Sequence, residues 1–378
     1  MKRGKVALIG RPNVGKSTLL NALLGEKLAI VSDKPQTTRT TILGRKQTDE
    51  AEIIFIDNPG IHRPLHKLNK RMMNFVLSSL EIADLLCLLI DATQPFGQGD
   101  SFVLGMLARV NRPIFLLVNK VDIIRKDRIL PLIDKYRALL PFKEIIPISA
   151  QRKINLDRLE QKIIEYLPEA EPGTEKEEKP RLPLRFHISE IIREKILKRV
   201  EDELPFVTAV YVDRIQDQLT GKRLEEVDLD QLKEEKLEVF VLGGRGENEK
   251  EVAEPEGKEK ERPAEKEGEG KKREGAKRES YKPGLKAARQ GDETKKEKRR
   301  SLAGIVLINA TIFVEKENQV GIVVGHRAQR LKEIGIEARR ELEALLQARV
   351  YLNLSVKVKP RWRDKPDVLD LIEAQKGA

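Results

Sequence analysis

Gly10-Arg11-Pro12-Asn13-Val14-Gly15-Lys16-Ser17 follows the apolar run Val6-Ala7-Leu8-Ile9 and leads into Thr18-Leu19-Leu20-Asn21-Ala22-Leu23-Leu24. The order is strand, glycine loop, helix, and the spacing is G-x-x-x-x-G-K-S, the pattern of a phosphate-cradling loop. Gly10 and Gly15 let the backbone turn tightly and come close to an anion. The amides of residues 13 to 18 can then point inward at the positive end of the new helix. Lys16 supplies a point charge for β- and γ-phosphates, and the Ser17 hydroxyl suits a magnesium ion. A loop of this kind says nucleotide without saying which one.

The base is read at Asn119-Lys120-Val121-Asp122, which follows a second buried-strand run, Ile114-Phe115-Leu116-Leu117-Val118. A carboxylate at the end of such a strand can accept two hydrogen bonds from the N1 and N2 protons of guanine. Adenine lacks that donor pair and would leave the carboxylate unpaired. Asp122 is the candidate for that role. Asn119 is expected to brace neighbouring loops, and Lys120 to lie along the base. As a bare tetrapeptide N-K-x-D is weak; about a hundred residues after a phosphate loop it is strong.

Residues 1–168 alternate apolar strand runs with amphipathic helices, which predicts an α/β domain with a mostly parallel sheet and its sites at the strand ends. The polar stretch 31–40 lacks helical periodicity and precedes an alternating strand at 42–47. It reads as a switch segment in which a threonine reaches magnesium and the γ-phosphate. The next strand, Ile53-Ile54-Phe55-Ile56, ends in Asp57-Asn58-Pro59-Gly60. Asp57 is placed to hold a water on the metal, and the Gly60 amide to meet the γ-phosphate. Loss of that contact on hydrolysis would release the basic, polar segment 61–70. Strand Leu85 to Asp91 follows, and Ile145-Ile146-Pro147-Ile148 leads into Ser149-Ala150, where the Ala150 amide is a candidate donor to guanine O6.

This set resembles the translation-factor-like GTPases, and within them the bacterial Era-type GTPases. The resemblance is carried by residues 10–17, Gln36-Thr37-Thr38-Arg39, Asp57-Asn58-Pro59-Gly60, residues 119–122 and Ser149-Ala150. It implies GTP and GDP as ligands with magnesium as cofactor. Nucleotide contacts are then expected on Gly10, Arg11, Pro12, Asn13, Val14, Gly15, Lys16 and Ser17. They continue on Asp57, Asn58, Pro59, Gly60 and Ile61, on Asn119, Lys120, Val121 and Asp122, and on Ser149 and Ala150. Lys16, Thr38 and Gly60 are the implied catalytic positions, and Ser17, Thr38 and Asp57 the implied magnesium positions. The family usually has threonine where Asn58 stands. Ras-like enzymes place a glutamine after the glycine to orient the attacking water; here the residue is Ile61, a hydrophobic replacement that Era-type enzymes share. Slow intrinsic hydrolysis is therefore expected. Some relatives bind potassium through the asparagine matching Asn13, so potassium is a further candidate cofactor.

Residues 169–183, dominated by Glu, Lys and Pro, read as a linker. A second unit starts at Leu184. Residues 186–204 read as an amphipathic helix with Ile188, Ile191, Ile192, Ile196, Leu197 and Val200 on one stripe. Strands are expected at 206–212, 305–314 and 350–358, with a helix at 329–347. The order helix, strand, strand, helix, helix, strand resembles a type II KH domain, α+β in class, at 184–213 and 302–365. Such modules clamp single-stranded RNA with a G-x-x-G loop. The matching loop is Gly325-His326-Arg327-Ala328, whose last glycine is replaced by alanine. That Cβ disfavours φ > 0 and stands where a phosphate should come close. His326, Arg327, Arg330 and Lys332 still supply donors. Trp362, in a basic tail, is expected to pack against the domain rather than stack on a base.

The insertion 214–301 splits the central strands. Leu237-Glu238-Val239-Phe240-Val241-Leu242 alternates like a strand, and from about 244 the chain is Lys, Glu, Arg and Gly with almost no apolar residue, which predicts disorder. A solvated spacer and an auxiliary RNA-binding arm ending at Lys295-Lys296-Glu297-Lys298-Arg299-Arg300 are both readings of it.

The net charge of +11 favours a polyanionic partner. By resemblance that partner is small-subunit ribosomal RNA near its 3′ end, with a role in assembly of the small ribosomal subunit, and DNA is not expected. One cysteine, Cys87, excludes an internal disulfide and fits a reducing cytoplasm. No apolar run approaches the length of a membrane span, so the membrane association known in the family would be peripheral; a monomer is expected. Two alternatives remain at this stage. One is a related GTPase acting on another RNA. The other is an RNA-binding module in which hydrolysis only times release.

Overall fold

The computed structural model describes residues 1–170, 183–201, 203–217, 223–224 and 305–376. Most of the 169–183 linker, the strand expected at 237–242, the disorder expected from about 244 and the basic stretch at 295–300 lie outside the described residues.

The first layer system is a six-stranded sheet of β1 (Lys2–Ile9), β2 (Ile42–Gln47), β3 (Ala51–Asp57), β4 (Leu85–Asp91), β5 (Ile114–Asn119) and β6 (Glu144–Pro147) in the order β2-β3-β1-β4-β5-β6. Only the β2–β3 pairing is antiparallel. The near-continuous apolar runs predicted burial on both faces, and β3, β4 and β5 are buried almost throughout. Two cores result. One holds Val6, Leu8, Phe55, Cys87 and Phe115 under α1 (Lys16–Leu24) and α5 (Leu156–Tyr166). The other holds Ala7, Ile9, Ile56, Leu88 and Leu116, on the side of α2 (Lys67–Ile82), α3 (Gln98–Leu107) and α4 (Ile129–Arg137). Cys87 is a buried apolar filler, and burial drives its thiol far above the ordinary range. β1 has β3 on one side and β4 on the other, so the chain reverses its winding there. In open α/β sheets the crevice outside the strand ends at that point is where ligands bind.

The second layer system is a three-stranded sheet of β7 (Ala209–Asp217), β8 (Ile305–Val314) and β9 (Arg349–Val358). β7 and β8 are antiparallel, and β8 and β9 parallel. α6 (Leu184–Arg199), a single turn α7 (Leu204–Val207), α8 (Glu317–Val324) and α9 (Gln329–Leu346) complete it. The element order is the one predicted, and both sheets belong to one compact body.

Three local expectations are corrected. The helix expected over 186–204 spans Leu184–Arg199 and is closed by an extended Val200. The strand expected from 206 begins at Ala209, because Pro205 starts a helical turn in which the Thr208 amide donates to the Leu204 carbonyl. The second unit also continues past 365, into α10 (Pro366–Glu373).

The largest difference lies in α6. A one-sided stripe was expected, yet its polar residues Arg193, Glu194 and Lys195 are also buried. Its apolar side packs against Val210, Ile308 and Leu342, while its polar side meets the first unit.

Candidate nucleotide and RNA sites

Each loop of the first site leaves the carboxyl end of a strand. After β1 the phosphate loop bends through left-handed backbone at Asn13 and Gly15 and an equally unusual φ of 152° at Gly10. A Cβ on Gly15 would lie 2.4 Å from the Asn119 Nδ2, and one on Gly10 would lie 2.5 Å from the Leu89 carbonyl. Glycine is required at both by space as well as by φ. Lys16 is buried, with its Nζ 3.0 Å from the Arg11 carbonyl and 3.3 Å from that of Gly10. Arg11 reaches sideways to Asp100 at 2.8 Å.

The three implied metal positions converge. Ser17 Oγ donates to Asp57 Oδ2 at 2.7 Å and lies 2.8 Å from Thr38 Oγ1, itself 3.5 Å from the same carboxylate oxygen. Burial pushes the Asp57 carboxyl up to about 6, against the pull of Lys16 and the two hydroxyls. Burial likewise pulls the Lys16 ammonium down to about 8, against the attraction of Asp57. Asp57 Oδ1 is buried with no hydrogen-bond partner. Two hydroxyls and one carboxylate, whose second oxygen is orphaned, are the hard oxygen set that suits magnesium, with phosphate and water completing its shell. Among the described residues no group of three or more His, Cys, Asp and Glu could hold a softer metal.

Gly60 abuts the phosphate loop, where a Cβ would sit 2.7 Å from the Pro12 backbone. The Ile61 amide donates to the Gly10 carbonyl at 3.0 Å, and the Ile61 side chain is buried in the core. The segment that begins at Ile61 is thus anchored at its start, and at its far end His66 and the Lys67 amide both meet Asp364. Asn58 is buried with its Nδ2 3.4 Å from the carbonyls of Leu8 and Ile56, a structural role in place of the family's threonine.

On the base side Asn119 braces two loops, donating to the Val14 carbonyl at 2.7 Å and accepting the Ala150 amide at 3.0 Å. The brace is the role expected of it. The Ala150 amide, the candidate donor to guanine O6, is held here by the Asn119 carboxamide. Lys120, in left-handed backbone, is held by Asp91 at 2.6 Å. Asp122 is exposed on the turn that follows β5, open to a base edge. Ser149 is buried and caps its own turn by accepting the Arg152 amide. Asn13, the candidate potassium position, donates its amide N–H to the Asp33 carbonyl.

The second site is the loop between α8 and α9. Gly325 has φ 74°, and a Cβ there would meet the Arg330 Cβ at 2.7 Å. Arg327 and Ala328 also have positive φ, 48° and 58°. His326, Arg327, Ala328 and Lys332 are exposed, whereas Arg330 is half-buried and donates to the Ile322 carbonyl at the end of α8. Trp362 is buried, its indole N–H donating to the Val207 carbonyl at 2.7 Å, so it packs as expected.

Sequence reasoning missed the residues that join the two units. Arg39 donates to the carbonyls of Thr208 and Pro205 at 2.7 and 2.9 Å. Arg193 donates to the carbonyls of Gln36 and Thr37, on the N-terminal side of Thr38. Lys27 meets Glu194 of α6 and Glu341 of α9, each at 2.6 Å. No local signal marks these residues, since their partners lie between about 150 and 310 positions away in the chain.

A family profile described as 50S ribosome-binding GTPase matches residues 5–120, and a KH-domain profile matches residues 292–363. The chain is similar to Era in a complex with magnesium, GDPNP and nucleotides 1506–1542 of 16S ribosomal RNA, at 33% identity over 98% of each chain with a TM-score of 0.73. It is similar as well to a tyrosine-to-alanine variant of Aquifex aeolicus Era bound to GDP and AlF4⁻, at 33% identity over 98% of this chain and 99% of that one, TM-score 0.72.

Proposed function

Because the chain belongs to the Era family of GTPases, we propose that its nucleotide site switches a KH clamp for the 3′ end of small-subunit ribosomal RNA, in assembly of the small ribosomal subunit. The chain is a GTPase that converts GTP to GDP and phosphate. The observation that carries the reading is the meeting of Ser17, Thr38 and Asp57 at one point, with Thr38 one residue from Arg39, which is bonded to the second unit.

Ser17 and Thr38 would hold magnesium directly and Asp57 through a water. The ion would neutralise charge on the β- and γ-phosphate oxygens. Lys16 turns its ammonium from the Gly10 and Arg11 carbonyls to the phosphates. The Gly60 amide meets the γ-phosphate, and Asp122 selects guanine. Ile61 contributes no hydrogen bond to a water, which fits slow intrinsic hydrolysis. A potassium ion on the remaining Asn13 carboxamide oxygen is a further part of this reading. Single-turnover hydrolysis in potassium against sodium checks it, and equal rates remove it. In the RNA clamp Gly325 to Ala328 would face the backbone, with His326, Arg327 and Lys332 as donors. A cytoplasmic monomer with peripheral membrane association completes the reading. Among the described residues no helix is long and apolar enough to cross a membrane.

The test is binding of the full-length protein to a small-subunit rRNA 3′-end oligonucleotide, with a GTP analogue and with GDP, across a salt series. Tight, sequence-dependent binding favoured by the analogue is expected. Weak binding that ignores sequence and nucleotide and falls steeply with salt would reduce the RNA site to its basic residues.

A further inference from the structure

We propose that Gln36 and His62 form a bridge between the two switch segments that positions Gly60 for hydrolysis, and that Arg193 of the KH unit holds this bridge in place. All three are positioning residues.

His62 sits one residue beyond Ile61, whose side chain is buried. Its Nδ1 lies 2.9 Å from the Gly60 carbonyl, and its Nε2 lies 3.3 Å from the Gln36 Nε2. A carbonyl only accepts, so Nδ1 carries the proton. In the neutral ring Nε2 is then the acceptor, and the Gln36 amide N–H₂ donates to it. One tautomer satisfies both contacts, and neither nitrogen is left free to act as a base. The ring acts by geometry.

That geometry falls on one peptide plane. The Gly60 carbonyl accepts from His62 while the amide of the same peptide, on Ile61, donates to Gly10. The Gly60–Ile61 peptide is held at both polar atoms, which fixes the backbone next to the Gly60 amide. Gly60 itself is pressed against Pro12. The other half of the bridge is held from outside the nucleotide-binding unit. Gln36 has φ 60°, a conformation non-glycine residues rarely adopt unless their surroundings impose it. The buried Arg193 supplies the restraint through the Gln36 and Thr37 carbonyls, and Glu190 orients its guanidinium at 2.7 Å. Ser17 with Thr38, Gln36 with His62, and Gly60 with Pro12 then close a ring of contacts around the mouth of the phosphate loop. A displacement of α6 would open that ring at Gln36.

The test is single-turnover GTP hydrolysis by the full chain with magnesium, together with affinities for a GTP analogue and GDP and thermal melting. The variants are His62→Phe, Gln36→Gly, their double mutant, and Arg193→Lys with and without Gln36→Gly. Wild type and Lys16→Ala frame the range; hydrolysis by the former and a loss of about a hundredfold or more in the latter shows that the site itself is sound. Each bridge variant is expected to lower the hydrolysis rate about five- to tenfold with no loss of nucleotide affinity or of melting temperature, the mark of an interaction made in the transition state. The double mutant is expected to be no slower than the slower single, and the Arg193→Lys loss to vanish in the Gln36→Gly background. Unchanged rates, additive losses, or rate falling together with affinity and melting temperature would overturn the proposal.

Discussion

The phosphate loop and the KH loop both bend the backbone to bring amides to an anion, and they are built to different standards. In the phosphate loop Gly10 and Gly15 carry the unusual backbone, and Asn13, a residue that tolerates left-handed geometry, carries the rest. The loop is locked from behind by Asn119 and faced by Gly60. In the KH loop only Gly325 is glycine, while Arg327 and Ala328 hold positive φ with a Cβ, in exposed positions. Beyond the loop's own backbone turns, Arg330 braces it by a side-chain bond to the Ile322 carbonyl. Chemistry on a phosphate needs a fixed, enclosed site. A clamp on a flexible RNA backbone works with a looser one, because several exposed cations share the load.

The sharpest way to break this contrast is to remove one cation from each loop. Lys16→Ala is expected to lower GTP hydrolysis roughly a hundred- to a thousandfold, as loss of a preorganised charge does in an enclosed site. Lys332→Ala is expected to weaken RNA binding only a few-fold and to reduce the salt slope by about one. Phosphate-release assays and RNA titrations across salt read the two. Equal losses would mean the loops are built alike.

The next effect is on stability. Asp57 titrates at about 6 in the fold and near 3.9 in the unfolded chain. With nucleotide and metal removed, the folded state therefore holds the proton more tightly. The stability linked to that proton is full below about pH 4 and is lost as pH rises through about 6, by about 3 kcal/mol. Metal-free Asp57→Asn is thus expected to be more stable than wild type at neutral pH by about that amount, with the gap closing toward pH 4. Denaturant melts in EDTA across that range test it.

Asn119→Ala removes the Val14 brace and orphans the buried Ala150 amide. A loss of about 2 kcal/mol in stability is expected, read by urea unfolding and accompanied by weaker guanine-nucleotide binding. The smallest effect is expected at Ala328. Ala328→Gly relieves its left-handed backbone, worth about 1 kcal/mol, and should tighten RNA binding up to about fivefold. If RNA affinity falls instead, the alanine contributes a contact that its exposure does not suggest.

Much of this was legible without coordinates. The strand–loop–helix at 6–24, the strand ending at Asp57 and the N-K-x-D after β5 are local patterns, and each appears where its residues predict. The meeting of Ser17, Thr38 and Asp57 was also legible, Ser17 and Asp57 from the segments they begin or end and Thr38 from the family resemblance. Other features were not. α6 read as a one-sided helix because its Arg193-Glu194-Lys195 run looks like a solvated face, although its buried partners are carbonyls and amides of residues 31–37. Nothing near Ala150 in the chain shows that its amide meets the Asn119 carboxamide. α10 lies beyond the expected 302–365 bounds of the KH unit, although its Val368 and Leu369 pack with Trp362 and Phe313.

The chain's local order therefore determines where phosphate, metal and base are met. Hydrogen-bonding geometry within a loop, and the period of apolar residues in a strand or helix, depend on neighbours a few positions apart. The tertiary structure alone decides how those sites are coupled. Arg39, Arg193, Lys27 and the Gln36–His62 bridge join segments brought together only after both sheets have packed. The Arg39 and Arg193 guanidinium groups can be buried there only because distant backbone carbonyls are in place to accept their hydrogen bonds.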